Sequence, residues 1–195
     1  MPEGLPPFPL LLVLHVGRET EAERESWWFP AADSGVAVAP VGSPQRESSD
    51  ADADRSWVDP ELTAEDIGTG IATASKELGA PRGVILAGFS INGRVAAQFA
   101  LRGTPVSARG FIAIGPAPFD PRGQLLDEAA RRGVRSSLIV GSEDRIRTSV
   151  SDLRDSLQDA GIPVRYDEVP GAAHEIPPDF GHRMTDAIAF VLDLA

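Results

Sequence analysis

Short apolar runs rich in Val, Ile, Leu and Phe recur along the chain, and each is followed by a turn and then by residues at helical spacing. The runs are PLLLVLH from Pro9, VAVAPV from Val36, VILAGF from Val84, GFIAIG from Gly110 and SLIVG from Ser137. A run that is apolar at nearly every position has no face left for water, so it reads as a strand covered on both sides, as in a parallel sheet. A sixth run, VRYDEV from Val164, alternates apolar and polar residues, as a strand near a sheet edge does. The repeated strand-helix order predicts an α/β fold: a three-layer, doubly wound, mostly parallel sheet of six strands.

The helical segments have readable ends. The plainest opens on Asp59 as N-cap with Pro60 at the first helical position, spaces Ile67, Ile71, Ala74 and Leu78 onto a buried face, and stops at Gly79. A second covers roughly Ile91 to Arg102, with Val95 and Phe99 on one side. A third carries Val150, Leu153 and Leu157 and ends at Gly161. A fourth runs from about Asp179 on Phe180, Met184, Ile188, Val191 and Leu192. The segment SPQRESSDADADRS, Ser43 to Ser56, is polar and acidic, which predicts a long surface loop within one domain spanning residues 1–195. No internal repeat is present, and no insertion is long enough to form a lid domain.

Composition narrows the chemistry. The 195 residues are 42% hydrophobic and 24% charged, close to the averages for a soluble globular domain. A formal net charge of −11 repels polyphosphates and leaves no basic stripe, so no nucleic-acid partner is expected. Without cysteine there is no disulfide, no thiolate zinc site and no Cys nucleophile. The apolar run Phe8 to Val16 falls far short of the ~20 residues that span a bilayer. The expectation is therefore a cytoplasmic protein without a membrane span. No metal-ligand cluster and no phosphate-cradling G-x-G-x-x-G occurs, so neither metal nor cofactor is expected. The expected partner is a small-molecule substrate, and the exposed edge of the Val164 strand and the C-terminal helix are candidate contact surfaces for a homodimer.

The sharpest local signal is GFSING, Gly88 to Gly93, where a buried strand ends and an amphipathic helix begins. Glycines two before and three after Ser90 remove Cβ atoms that would obstruct a sharp turn, and such a turn pushes the serine oxygen outward. The helix N-terminus behind it offers unpaired N–H groups and the positive end of a dipole, suited to charge that develops in acyl transfer. The alternative is that Ser90 only caps the helix.

A serine hydroxyl needs a base to take its proton. Of three histidines, His15 closes the first strand, His182 falls on the solvated side of the last helix, and His174 lies in PGAAHEIPPD, a glycine-containing loop after the last strand. His174 is thus the candidate base. A carboxylate should orient it, and SLIVGSEDRI supplies Glu143 and Asp144. The longer turn favours the short side chain of Asp144, with Asp120, after the Gly110 strand, in reserve. Each of these residues taken alone also reads as ordinary surface; what points to chemistry is their conjunction, each just past a strand, in the order Ser90, Asp144, His174.

With that order the chain resembles the α/β-hydrolase superfamily, in particular its small carboxylesterases, the group that also contains phospholipase-like esterases and acyl-thioesterases and lies near dienelactone hydrolase. The likeness runs over nearly the whole chain. That group carries a His-Gly-x-Gly type loop after an early strand, an elbow often reading GFSxGG, an acid after a strand ending in Gly-x-x-Asp, and a histidine after a short glycine-containing loop. The counterparts here are HVGR from His15, GFSING, GSED and GAAH. The resemblance implies a Ser90, Asp144, His174 triad, an oxyanion hole made by the N–H groups of Ile91 and Gly17, and a structural role for His15. It further implies a reduced sheet, lacking the two strands with which the family sheet normally opens, in the order 2-1-3-4-5-6. The site then falls at the switch point between strands one and three. Two positions depart from the pattern: Val16 replaces the usual glycine, and Asn92 stands where G-x-S-x-G has its last glycine, with Gly93 following.

The activity implied is hydrolysis of small carboxylic esters through an acyl-enzyme on Ser90. Trp57 and Phe119, and also Trp27 and Trp28, are candidate substrate-binding aromatics, with core packing the alternative for each. Two alternatives remain: an acyl-thioesterase or lysophospholipase, and a non-catalytic hydrolase-fold binding protein, in which β-branched Val16 keeps the loop N–H from the oxyanion.

Overall fold

The apolar runs form strands, and their length and composition decide where each one lies. In a computed structural model describing residues 8–15, 27–42 and 60–194, β1 (Pro9–His15), β3 (Gly83–Phe89), β4 (Gly110–Ile114) and β5 (Arg135–Gly141) make the buried middle of one sheet. The flanking strands are β2 (Ala37–Gly42) and β6 (Val164–Val169). All six pair in parallel, in the order β2-β1-β3-β4-β5-β6, the order and the doubly wound class expected. The alternating run from Val164 is indeed an edge strand, half-buried along most of its length.

Successive residues of each strand point to opposite faces, and the two faces are covered unequally. Leu10, Leu12, Leu14, Leu86, Phe111, Ala113, Leu138 and Val140 face one side, where they pack against α1 (Pro60–Leu78), α2 (Ile91–Arg102), α3 (Gln124–Arg131) and α4 (Arg147–Asp159). Leu11, Val13, Ile85, Ala87, Ile112, Ile114 and Ile139 face the other, beneath α5 (Phe180–Val191) and a short 3-10 helix, Phe29–Ser34. These strand side chains are almost wholly withdrawn from water, each leucine or isoleucine contributing about 1.5–3 kcal/mol of burial.

Two details differ from the sequence reading, and a third resolves an alternative it left open. Leu78, expected on the buried face of α1, is 39% exposed; with Val38, Ala39 and Pro40 it lines an open groove of about 450 Å³ between β2 and α1. Helix α3 was not anticipated, because its eight residues bury only Leu126 and Ala129, too little to register as a period. Trp28 takes the core alternative: it is 3% exposed and meets Phe180 edge-on at 5.3 Å. The Asp59 cap, the acidic stretch of 43–56, Val16, Gly17 and Trp57 lie outside the described residues. No helix among the described residues is long and apolar enough to cross a membrane.

For the site, the decisive feature is that β1 lies between β2 and β3, so the winding direction reverses there. At such a reversal the connections leave the carboxyl ends of neighbouring strands in opposite directions and open a crevice.

Candidate active site

Ser90 sits between β3 and α2 with φ 56° and ψ −119°. A residue with a Cβ avoids this region at a cost of order 1–3 kcal/mol, and it persists only where the surroundings enforce it. Here the Ser90 N–H donates to the Ile114 carbonyl at 2.8 Å, extending the β3-β4 ladder, while the Ser90 carbonyl accepts from the N–H groups of Arg94 at 3.1 Å and Ala117 at 3.0 Å. The glycines are required by close approach. A Cβ on Gly88 would lie 2.6 Å from the carbonyl carbon of Asn92, and one on Gly93 would lie 2.9 Å from the Gly88 carbonyl oxygen. Strand and helix backbones therefore touch, and the serine between them is turned outward.

The capping alternative fails on geometry, since the Ser90 side chain makes no cap hydrogen bond. Its Oγ instead lies 2.9 Å from His174 Nε2, and His174 Nδ1 lies 2.7 Å from Asp144 Oδ2. A carboxylate can only accept, so Nδ1 carries the proton in this pairing and Nε2 is free to accept from the serine hydroxyl. The other oxygen, Asp144 Oδ1, accepts from the Ile146 N–H at 3.0 Å. The Asp144 side chain is 1% exposed and His174 30%, a carboxyl group sheltered from water beside an imidazole that still reaches the surface.

The remaining candidates separate. Glu143 is exposed. Asp120 is exposed as well and pairs with Arg122 at 2.6 Å, so neither is joined to His174. His15 is buried at the end of β1, and His182 is exposed on α5. Ile91 is the first residue of α2, where an N–H has no partner within the helix. Phe119 is half-buried against the core beside α4. It lines a groove of about 400 Å³ with Pro118, Asp120 and Asp152, whose walls include none of Ser90, Asp144 and His174. Among the described residues, no group of three or more His, Asp or Glu side chains is placed to hold a metal ion.

Two supports around His174 and its loop were not foreseen. The Phe89 ring lies 4.9 Å from the imidazole, centroid to centroid, tilted by 32°. Ser142 ties the acid loop to the histidine loop: its N–H donates to Val169 O at 2.9 Å and its Oγ accepts from the Gly171 N–H at 2.9 Å. The Glu143 N–H adds a third tie, to Ala172 O at 2.9 Å. Phe89 stands inside the GFS motif, yet nothing in that motif says which ring it will meet.

No protein-family model matches the chain, and no curated protein matches its sequence. Solved structures do match. An uncharacterized protein from Bacillus cereus superposes with a TM-score of 0.77 at 21% identity, over 96% of this chain and 60% of the other, so the chain spans less than two thirds of that protein. Esterase PE8 superposes with a TM-score of 0.68 at 18% identity, over 95% and 93% of the two chains. MGS-M1, an α/β hydrolase enzyme from a Medee basin deep-sea metagenome library, does so with 0.65 at 16%, over 87% and 71%. The chain has a reduced α/β-hydrolase fold, with six parallel strands and helices on both faces.

Proposed function

We propose that the chain is a serine hydrolase of small carboxylic esters. The observation that carries the reading is the unbroken line from Ser90 Oγ through the His174 ring to Asp144. In the proposed reaction Ser90 Oγ attacks the ester carbonyl carbon as its proton passes to His174 Nε2. The tetrahedral intermediate collapses, the C–O bond to the alcohol breaks, and the alcohol leaves with that proton. Water then attacks the acyl-enzyme with His174 as base, and the acid is released as the Ser90 hydroxyl is restored. Asp144 holds the ring in the tautomer that can accept, and stabilises the imidazolium when it forms.

The oxyanion would be met by the Ile91 N–H at the positive end of α2, with the N–H of Gly17 as second donor. The sheet register supports the second assignment by setting the end of β1 beside the elbow: His15 ends β1 one residue beyond Leu14, whose partner is Gly88 on β3. Trp57 remains the candidate aromatic wall. A net charge of −11 disfavours polyanionic substrates, and a structural neighbour that is named as an esterase supports ester chemistry.

A fluorophosphonate probe, peptide mass mapping and hydrolysis of p-nitrophenyl acetate test the proposal together. Labelling confined to Ser90 with sustained turnover is expected. Labelling at another residue overturns the triad, and stoichiometric labelling of Ser90 without turnover would favour the binding-protein alternative.

A further inference from the structure

We propose that Gly115 is a positioning residue for the Asp144-His174 pair, the bare backbone at the end of β4 against which the imidazole and carboxylate settle at hydrogen-bonding distance. Gly115 is the first residue past β4, its N–H donates to Ile139 O at 2.7 Å, and its φ is +45°. A Cβ there would lie 3.1 Å from His174 Cε1, 3.2 Å from His174 Nδ1 and 3.2 Å from Asp144 Oδ2. The last two atoms are the two ends of the 2.7 Å hydrogen bond that orients the base. A methyl group at this position therefore presses on the bond itself.

Backbone conformation alone does not account for the contact. Gly79, Gly123, Gly133 and Gly161 also have positive φ, at the ends of helices and in turns, and a Cβ on any of them meets nothing within 4 Å. At Gly115 the same backbone region coincides with an occupied Cβ direction, and the occupants are the base and its acid. Neither occupant is a loose chain end. Asp144 is almost fully buried and holds the Ile146 N–H, and the histidine loop is tied to Ser142 and Glu143. The ring has to give by a few tenths of an ångström, lengthening its bond either to Asp144 or to Ser90. Loss of base alignment slows the chemical step without touching substrate binding.

The kinetic arm of the test rests on the hydrolase reading; the spectroscopic and stability arms do not. Gly115→Ala, Gly133→Ala, His174→Ala and the Gly115→Ala/His174→Ala double variant are compared by thermal midpoint, by kcat and KM on p-nitrophenyl acetate, and by the far-downfield proton resonance of the histidine Nδ1–H. Gly133→Ala carries backbone strain alone, so it should lower the midpoint and leave kcat and the resonance as in the wild type. Gly115→Ala should lower kcat by about tenfold to a hundredfold, keep KM within about twofold, and shift or broaden the resonance. With the ring removed by His174→Ala, the midpoint loss caused by Gly115→Ala should shrink toward that of Gly133→Ala, the contact with Asp144 Oδ2 remaining. Unchanged kcat and resonance in Gly115→Ala, or midpoint losses that simply add, would overturn the proposal. Should Gly115→Ala fail to fold, the double variant decides: a folded one supports the contact and an unfolded one refutes it. If hydrolysis proves independent of Ser90, the ester reading falls while the resonance and the midpoint cycle still report on Gly115.

Discussion

Ser90 is held by residues adjacent to it in the chain, whereas His174 is held by residues that only the fold brings near. At the elbow, Gly88, Asn92, Gly93 and Arg94 supply most of the constraint, and the distant backbone partners are the carbonyl of Ile114, which ends the next strand, and the N–H of Ala117 just past it. The histidine meets Asp144, the Phe89 ring and the bare backbone of Gly115, and its loop is tied to Ser142 and Glu143. A nucleophile can thus be built from one short motif, because a strained turn needs only local glycines and a helix start. A base that must meet two partners at once needs several strand ends brought together.

The contrast breaks most sharply at the nucleophile. Ser90→Ala removes the attacking atom without changing the backbone demand, since both residues carry a Cβ, so kcat on p-nitrophenyl acetate should fall on the order of a million-fold with the thermal midpoint nearly unchanged. Retention of most of the activity would remove Ser90 from the mechanism. At the distant end, Asp144→Asn should cost about ten-thousandfold in kcat, because an amide can hold the ring in the tautomer that cannot accept the serine proton. Glu143→Gln and Asp120→Asn, both on exposed side chains not joined to His174, should each stay within about threefold, as is usual for surface changes. A greater loss at Asp120 than at Asp144 would move the acid to the loop after β4.

The local constraint has its own test. Gly88→Ala sets a methyl group against the Asn92 backbone, which has no free end to swing away. The elbow must open, and a displacement of even part of an ångström at Ser90 should cost about a hundredfold in kcat along with a lowered thermal midpoint. Gly68→Ala is the matching control: it lies inside α1 with nothing within 4 Å of the added Cβ, and replacing an interior helix glycine should stabilise by about 0.5–1 kcal/mol. Equal kinetics for the two variants would show that the close approach at the elbow is not needed.

The same division explains what could be read from the sequence. The central strands were legible because burial on both faces forces nearly continuous apolar runs, and the elbow because its glycines sit at fixed offsets from Ser90. The preference for Asp144 over Glu143 rested on side-chain length and agrees with the geometry: the shorter acid turns inward to His174 while Glu143 points to solvent. Gly115, Phe89 and Ser142 were not legible. A glycine after a strand looks like any turn, a phenylalanine before the nucleophile like any core residue, and a serine in GSED like loop surface. Each acquires its role from the register of β3 with β4 and of β5 with β6, which no single segment encodes. Phe119, whose place after β4 left it open to either a site wall or the core, packs against the core and lines the groove beside α4.

The smallest effect expected is at Ser142, and it measures how far the histidine loop depends on any one tie. Ser142→Ala deletes the hydroxyl that accepts the Gly171 N–H. It leaves both backbone bonds, from Ser142 N–H to Val169 O and from Glu143 N–H to Ala172 O, because these do not involve the side chain. Gly171 is exposed, so water can take over the freed N–H, and the net loss should be about 0.5–1.5 kcal/mol. For a chain of this size each kcal/mol lowers the thermal midpoint by roughly 2–4 °C. Two ties out of three still fix the loop, so kcat should fall by no more than about fivefold, the activity equivalent of roughly 1 kcal/mol, with KM unchanged. Side-by-side kinetics and thermal unfolding of the purified variant check both numbers. A loss approaching that of Asp144→Asn would mean that a single exposed side-chain bond, rather than the combined packing of two loops, Phe89 and Gly115, aligns the base.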